Sequence, residues 1–146
     1  MPAQRERYLP DVNIFVDAFR TPGPCRSWLE TTRANRERIL ILPEVAASTI
    51  RILTNPRIWS TPAPSRDVHR LFGQLMRTPD TSLAQAPLNT WRTFTQIVES
   101  LDLSGNDIPD AWLAASSHTL NATLVTRDVG FVKFPDLAVT YLSNNS

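Results

Sequence analysis

One cysteine, Cys25, leaves no intrachain disulfide possible, and neither it nor the two histidines stands at a zinc-binding spacing. No apolar run approaches the ~18 residues of a membrane span, and the N-terminal MPAQRERY lacks the apolar stretch of a secretory signal. The formal net charge is only +1, so no polybasic field announces a nucleic-acid partner. Such a partner is not excluded by this, because acids gathered at one site would offset basic residues at its rim. Repeats, linkers and low-complexity segments are also missing. With 42% hydrophobic and 20% charged residues, the expectation is a soluble, cytoplasmic chain folding as a single domain over 1–146.

The most informative stretch runs from Ser104 to Asp128, SGNDIPDAWLAASSHTLNATLVTRD. Ser104, Gly105 and Asn106 are turn residues; Asp107 is a candidate N-cap, with Pro109 in the first turn and Asp110 following. The spacing predicts a helix to about Leu120, a C-terminal turn at Asn121 and a buried strand over Ala122–Thr126. Asp128 follows that strand. In open parallel sheets ligands collect beyond the carboxyl ends of the strands, so an acid there beside an acidic helix start points to a metal site. The bland alternative is that Asp107 and Asp110 only cap a helix, worth ~0.3–2 kcal/mol, and that Asp128 is a turn residue.

Other acids sharpen the choice. Tyr8–Phe15 reads as a short strand running into a turn or helix, with Asp11 and Asn13 at the junction; Pro10 is awkward for a central strand. Thr21–Cys25 reads as a loop, Ser27 to about Arg38 as a helix, and Ile39–Leu42 as a strand covered on both faces. Pro43 then opens a helix, with Glu44 beside it, ending near Thr54. Helices are predicted over Asp67–Arg77 and Asn89–Leu101, the latter with Trp91, Phe94, Ile97 and Val98 inward. Ser82–Leu88 is weakly strand-like, Gly130–Pro135 a loop or single turn, and Leu137–Leu142 a final strand. This alternation implies a three-layer α/β domain with a central, mainly parallel sheet.

Asp11, Glu44 and Asp128 thus fall after strands, and Asp110 opens a helix that can face the same rim. Carboxylates brought together repel unless a cation is present, and an all-oxygen set suits Mg²⁺ or Mn²⁺. Such a site can activate water and support in-line displacement at phosphorus, with Asn13 orienting Asp11. All four carboxylates are expected to line one pocket. The pattern points to phosphodiester hydrolysis.

LPDVNIF, LPEVAASTIRILTNPRIW, GNDIPDAWLAA and TLVTRDVGFVKFPDL together resemble the PIN-domain ribonucleases, specifically the VapC-type toxins of bacterial type II toxin–antitoxin pairs. The resemblance spans nearly the whole chain. It implies a parallel sheet of four or five strands flanked by helices, and Mg²⁺- or Mn²⁺-dependent endonucleolytic cleavage of RNA, with tRNA or rRNA as substrates. It also implies a VapB-type antitoxin and a homodimer. Carried over by residue, the catalytic and metal-holding acids are Asp11, Glu44, Asp110 and Asp128, with Asn13 and Thr126 in support.

The chain departs from the family pattern in places. Pro10 replaces an aliphatic residue; Ser48 stands where many relatives place the second acid, sharing a helix face with Glu44; Gly130 lies where another aspartate is common. Arg51, Arg57, Arg127 and Lys133 are candidates for RNA phosphates, against ordinary surface charge. Asp17 and Asp107 read as solvated or capping, and His69 and His118 as non-catalytic. Trp28, Trp59, Trp91 and Trp112 read as core or contact residues, Trp112 with a possible place at the groove. The competing functions are a PIN-like domain that binds RNA or protein without activity, and a DNA nuclease or phosphatase using similar acids.

Overall fold

A computed structural model describes residues 5–143. Its strands are β1 (Arg7–Pro10), β2 (Arg38–Ile41), β3 (Thr81–Leu83), β4 (Thr123–Thr126) and β5 (Val139–Tyr141). They form one sheet in the order β3-β2-β1-β4-β5, every neighbouring pair parallel. The helices are α1 (Val12–Arg20), α2 (Pro24–Ala34), α3 (Pro43–Leu53), α4 (Ser65–Leu75), α5 (Thr90–Leu101) and α6 (Asp107–Thr119). From β1 the chain steps one way through β2 to β3, then returns across β1 to β4. Right-handed crossovers therefore set α1–α4 on one face and α5–α6 on the other. The helix contacts agree, with α1 on α2 and α3, α3 on α4, and α5 on α6. The five-stranded, three-layer α/β architecture is the one expected.

The reversal of direction has a consequence for function. Outside the carboxyl ends of β1 and β4 the connecting chains leave toward opposite faces, which opens a crevice. Side chains behind it are tightly buried: Leu9, Ile14, Phe15, Ile39, Ile41, Leu124 and Val125 have no measurable exposure. Each such side chain contributes about 1.5–3 kcal/mol, so the edge bearing the crevice is anchored by fully buried core.

Several local expectations are corrected. Helix α2 begins at Pro24, because proline's fixed φ suits the first helical position even directly after Gly23. Trp91 is not inward but 64% exposed, since α5 buries only Thr90 fully and lies at the periphery against α6. Pro10 is accommodated at the last position of β1, paired with Val125. On the β2 side the paired register ends at Tyr8, so the missing N–H breaks no ladder there. Cys25 is buried and free.

Candidate active site at the carboxyl edge of the sheet

Asp11 leaves β1 in extended conformation and caps α1: its Oδ1 accepts from the Val12 N–H at 2.7 Å. Its Oδ2 accepts from the Thr126 hydroxyl at 2.8 Å and from Asn13 Nδ2 at 3.3 Å. Asn13 uses both ends of its amide, with Nδ2 also donating to Thr126 Oγ1 at 3.3 Å and Oδ1 accepting from the Arg127 N–H at 3.1 Å. Thr126 Oγ1 in turn accepts from the Asp128 N–H at 3.0 Å. A closed polar network therefore ties the end of β1 to the end of β4. Asp11 is only 9% exposed, and burial pushes its carboxyl above the ordinary range; the Thr126 and Val12 hydrogen bonds oppose this and the Asp128 charge adds to it.

Asp128 is exposed and caps a turn of 3-10 helix, Val129–Lys133, by accepting from the Gly130 N–H at 2.8 Å. A Cβ at Gly130 would lie 2.9 Å from Asp128 Oδ1, so a larger residue there makes this carboxylate shift. Asp110 sits in the first turn of α6. Its carboxyl is also raised, first by desolvation and then by the charges of Asp11 and Asp128, with Lys133 opposing. The charges of Asp11 and Asp128 thus bear on Asp110. Asp107 does not cap: Asn106 holds the N-cap position without a side-chain bond, and Asp107 pairs with Lys133.

Glu44 goes elsewhere. It lies exposed in the first turn of α3, and its Oε2 accepts from Trp112 Nε1 at 2.7 Å. Ser48 is half-buried one turn further along α3. The Glu44–Trp112 contact is one that sequence reasoning missed; the available signal was only that Trp112 follows Asp110 by two positions.

Among the basic residues, Arg127 is ion-paired with Asp17 of α1, and Lys133 with Asp107. Arg51 and Arg57 are exposed, and neither makes an ion pair among the described residues. His69 and His118 lie exposed on helices. An open cleft of about 540 Å³ is lined by Asp11, Asn13, Asp17, Arg127 and Asp128 with apolar neighbours. Asp110 and Glu44 are not part of its lining. A more enclosed cavity of about 400 Å³ lies at the other end of β4 and β5, beside Ala122 and Ala138, away from the four acids.

Among the described residues, no three acidic, histidine or cysteine side chains already stand in metal-holding proximity. In donor type and charge the aspartates nevertheless fit a hard divalent cation: all oxygen, with two of them disfavoured as anions by burial and mutual repulsion.

A PIN-domain family model matches residues 8–137. The chain belongs to the PIN-domain family. This PIN domain is 35% identical over 129 residues to the VapC ribonuclease Mb2897 of Mycobacterium bovis, covering 85% of this chain and 87% of the relative. Ribonuclease VapC25 of Mycobacterium tuberculosis is 27% identical over 131 residues, covering 87% of this chain and 92% of the relative. Among solved structures, VapBC2 from Rickettsia felis, bound to a DNA fragment from its promoter, matches with a TM-score of 0.72 at 20% identity, covering 94% and 99% of the two chains. VapBC-1 from nontypeable Haemophilus influenzae gives 0.66 at 18%, covering 92% and 97%. At these identities the solved structures speak for the PIN fold.

Proposed function

We propose that this protein is the endoribonuclease toxin of a toxin–antitoxin pair, hydrolysing RNA phosphodiester bonds with Mg²⁺ or Mn²⁺. The observation that carries this is that Asp11 and Asp128, joined through Thr126, line one cleft at the ends of β1 and β4, with Asp110 in the first turn of α6 and the Asp11 and Asp110 carboxyls raised by burial and neighbouring acid charge. The relatives named VapC ribonuclease support the same chemistry.

Asp11, Asp110 and Asp128 would hold the ion. When bound, such an ion supplies a more acidic water and charge stabilisation at phosphorus. The chain's own part is to keep the Asp11 carboxylate oriented through Thr126 and Asn13, so that its remaining lone pairs face the crevice. Arg127 and Lys133 reach phosphate oxygens by exchanging Asp17 and Asp107 for them, while Arg51 and Arg57 hold the flanking backbone. A VapB-type antitoxin is the expected inhibitor, an amphipathic segment filling this groove in competition with RNA. That reading is supported by the VapBC complexes of like fold. A homodimer in the cytoplasm is the expected setting; among the described residues no helix is long and apolar enough to cross a membrane.

The test incubates purified protein with RNA, DNA and a phosphomonoester, with Mg²⁺ or Mn²⁺ and with EDTA. RNA cleavage lost in EDTA and in Asp11→Asn is the expected result. Cleavage of DNA or of the monoester in place of RNA, or binding without cleavage, overturns the proposal.

A further inference from the structure

We propose that Trp112 is a positioning residue whose indole N–H latches Glu44 outside the aspartate cluster, holding a fourth carboxylate in reserve. The inference rests on the metal-dependent reading above and goes beyond it by assigning a role to Trp112. An indole N–H donates and never accepts, so the 2.7 Å contact with Glu44 Oε2 is a charge-assisted bond with one possible direction. The bond joins the first turn of α3 to the second turn of α6, between residues 68 positions apart.

Trp112 is itself held from behind. The Phe94 ring meets it edge-on at 5.5 Å and 78°, and Phe94 is backed by Trp91 at 5.4 Å. The donor therefore has little freedom to follow a moving carboxylate. On α6, residues two apart point to different flanks of the helix, so Asp110 and Trp112 address different sides. Glu44, bonded to Trp112, therefore lies toward the flank of α6 that Asp110 does not address. Glu44 thus stands in the first turn of α3 facing the aromatic flank, held there by the bond to Trp112.

The experiment is a titration of the metal-free full-length protein with Mn²⁺ alone, following the free ion by electron paramagnetic resonance. Trp112→Phe keeps a ring against Phe94 and removes only the N–H. It is expected to tighten Mn²⁺ binding roughly three- to tenfold, the net worth of a typical hydrogen bond. The gain is expected to vanish in Trp112→Phe/Glu44→Gln. Glu44→Gln alone, at an exposed position that does not threaten folding, is expected to stay within about twofold of wild type.

Unchanged or weaker binding by Trp112→Phe, or a gain that survives in the double variant, overturns the latch. Should Trp112→Phe not fold, a large loss in Glu44→Gln alone overturns it, because Glu44 would then already be a ligand. Asp11→Asn separates the two levels of the reading. If wild type binds no Mn²⁺, or Asp11→Asn binds as wild type does, the metal centre itself is wrong and the latch falls with it; a sound wild-type isotherm with an unmoved Trp112→Phe sinks the latch alone.

Discussion

The Thr126 hydroxyl donates to the Asp11 carboxylate across 2.8 Å, from 115 positions further along the chain. The same oxygen accepts from the Asp128 N–H, so one buried hydroxyl sets the spacing of two of the site's acids. Buried polar groups are costly when left unpaired, which makes this network both a structural joint and the frame of the site.

Thr126→Val keeps the shape of the side chain and deletes the hydroxyl. It is expected to destabilise the fold by ~1–3 kcal/mol, because Asp11 Oδ2 and the Asp128 N–H both lose a partner. Urea denaturation of the metal-free protein measures this, and a midpoint equal to wild type would remove Thr126 from the frame.

Asp11→Asn is expected to lower RNA cleavage by at least about a hundredfold while leaving the α1 cap in place, since asparagine caps as well as aspartate does. The check is initial-rate cleavage at equal concentrations of folded protein. Activity within a few-fold of wild type would contradict the role of this carboxylate.

The pH dependence of the metal-free protein follows from the raised carboxyls of Asp11 and Asp110. The folded state binds these protons more tightly than the unfolded chain, so their presence costs no stability below the ordinary carboxylate range. Stability then falls as pH rises through the raised values. Asp11→Asn is therefore expected to raise the Tm at pH 7, with the gain shrinking toward about pH 4. Thermal melts in EDTA across this range test it; a gain independent of pH would assign the effect to something other than charge.

Gly130→Ala places a methyl 2.9 Å from Asp128 Oδ1. The exposed Asp128 carboxylate must shift from its present orientation, so Mn²⁺ binding is expected to weaken by roughly threefold or more. An isotherm matching wild type would show that Asp128 is not a ligand in its present orientation.

The four basic candidates should separate by salt dependence. In an Asp11→Asn background that binds RNA without cutting it, Arg51→Ala and Arg57→Ala are each expected to flatten the log K against log salt slope by about 0.7, one single-strand phosphate contact. Arg127→Ala and Lys133→Ala should flatten it less, because Asp17 and Asp107 already compete for those charges. Equal slopes for all four would mean that the ion pairs do not restrain the rim.

The chain's local patterns were sufficient for much of this protein. Apolar runs at 39–42 and 122–126, proline at the start of α3 and helical spacing through α5 and α6 are short-range signals, and they produced the alternating α/β order. The acids after β1 and β4 were legible for the same reason, since a residue following a buried strand in a parallel sheet lies at the ligand edge whatever the loops do. Tertiary structure alone decided the rest. Helical spacing marks an apolar stripe but not how deeply a neighbour covers it, so Trp91 was expected inside and lies exposed. Side-chain direction depends on which partner offers the best hydrogen bond in space: Asp107 turned to Lys133, and Glu44 to Trp112. Sequence position brought Glu44 to the right edge of the sheet. An indole N–H fixed by packing against Phe94 decided which way its carboxylate faces.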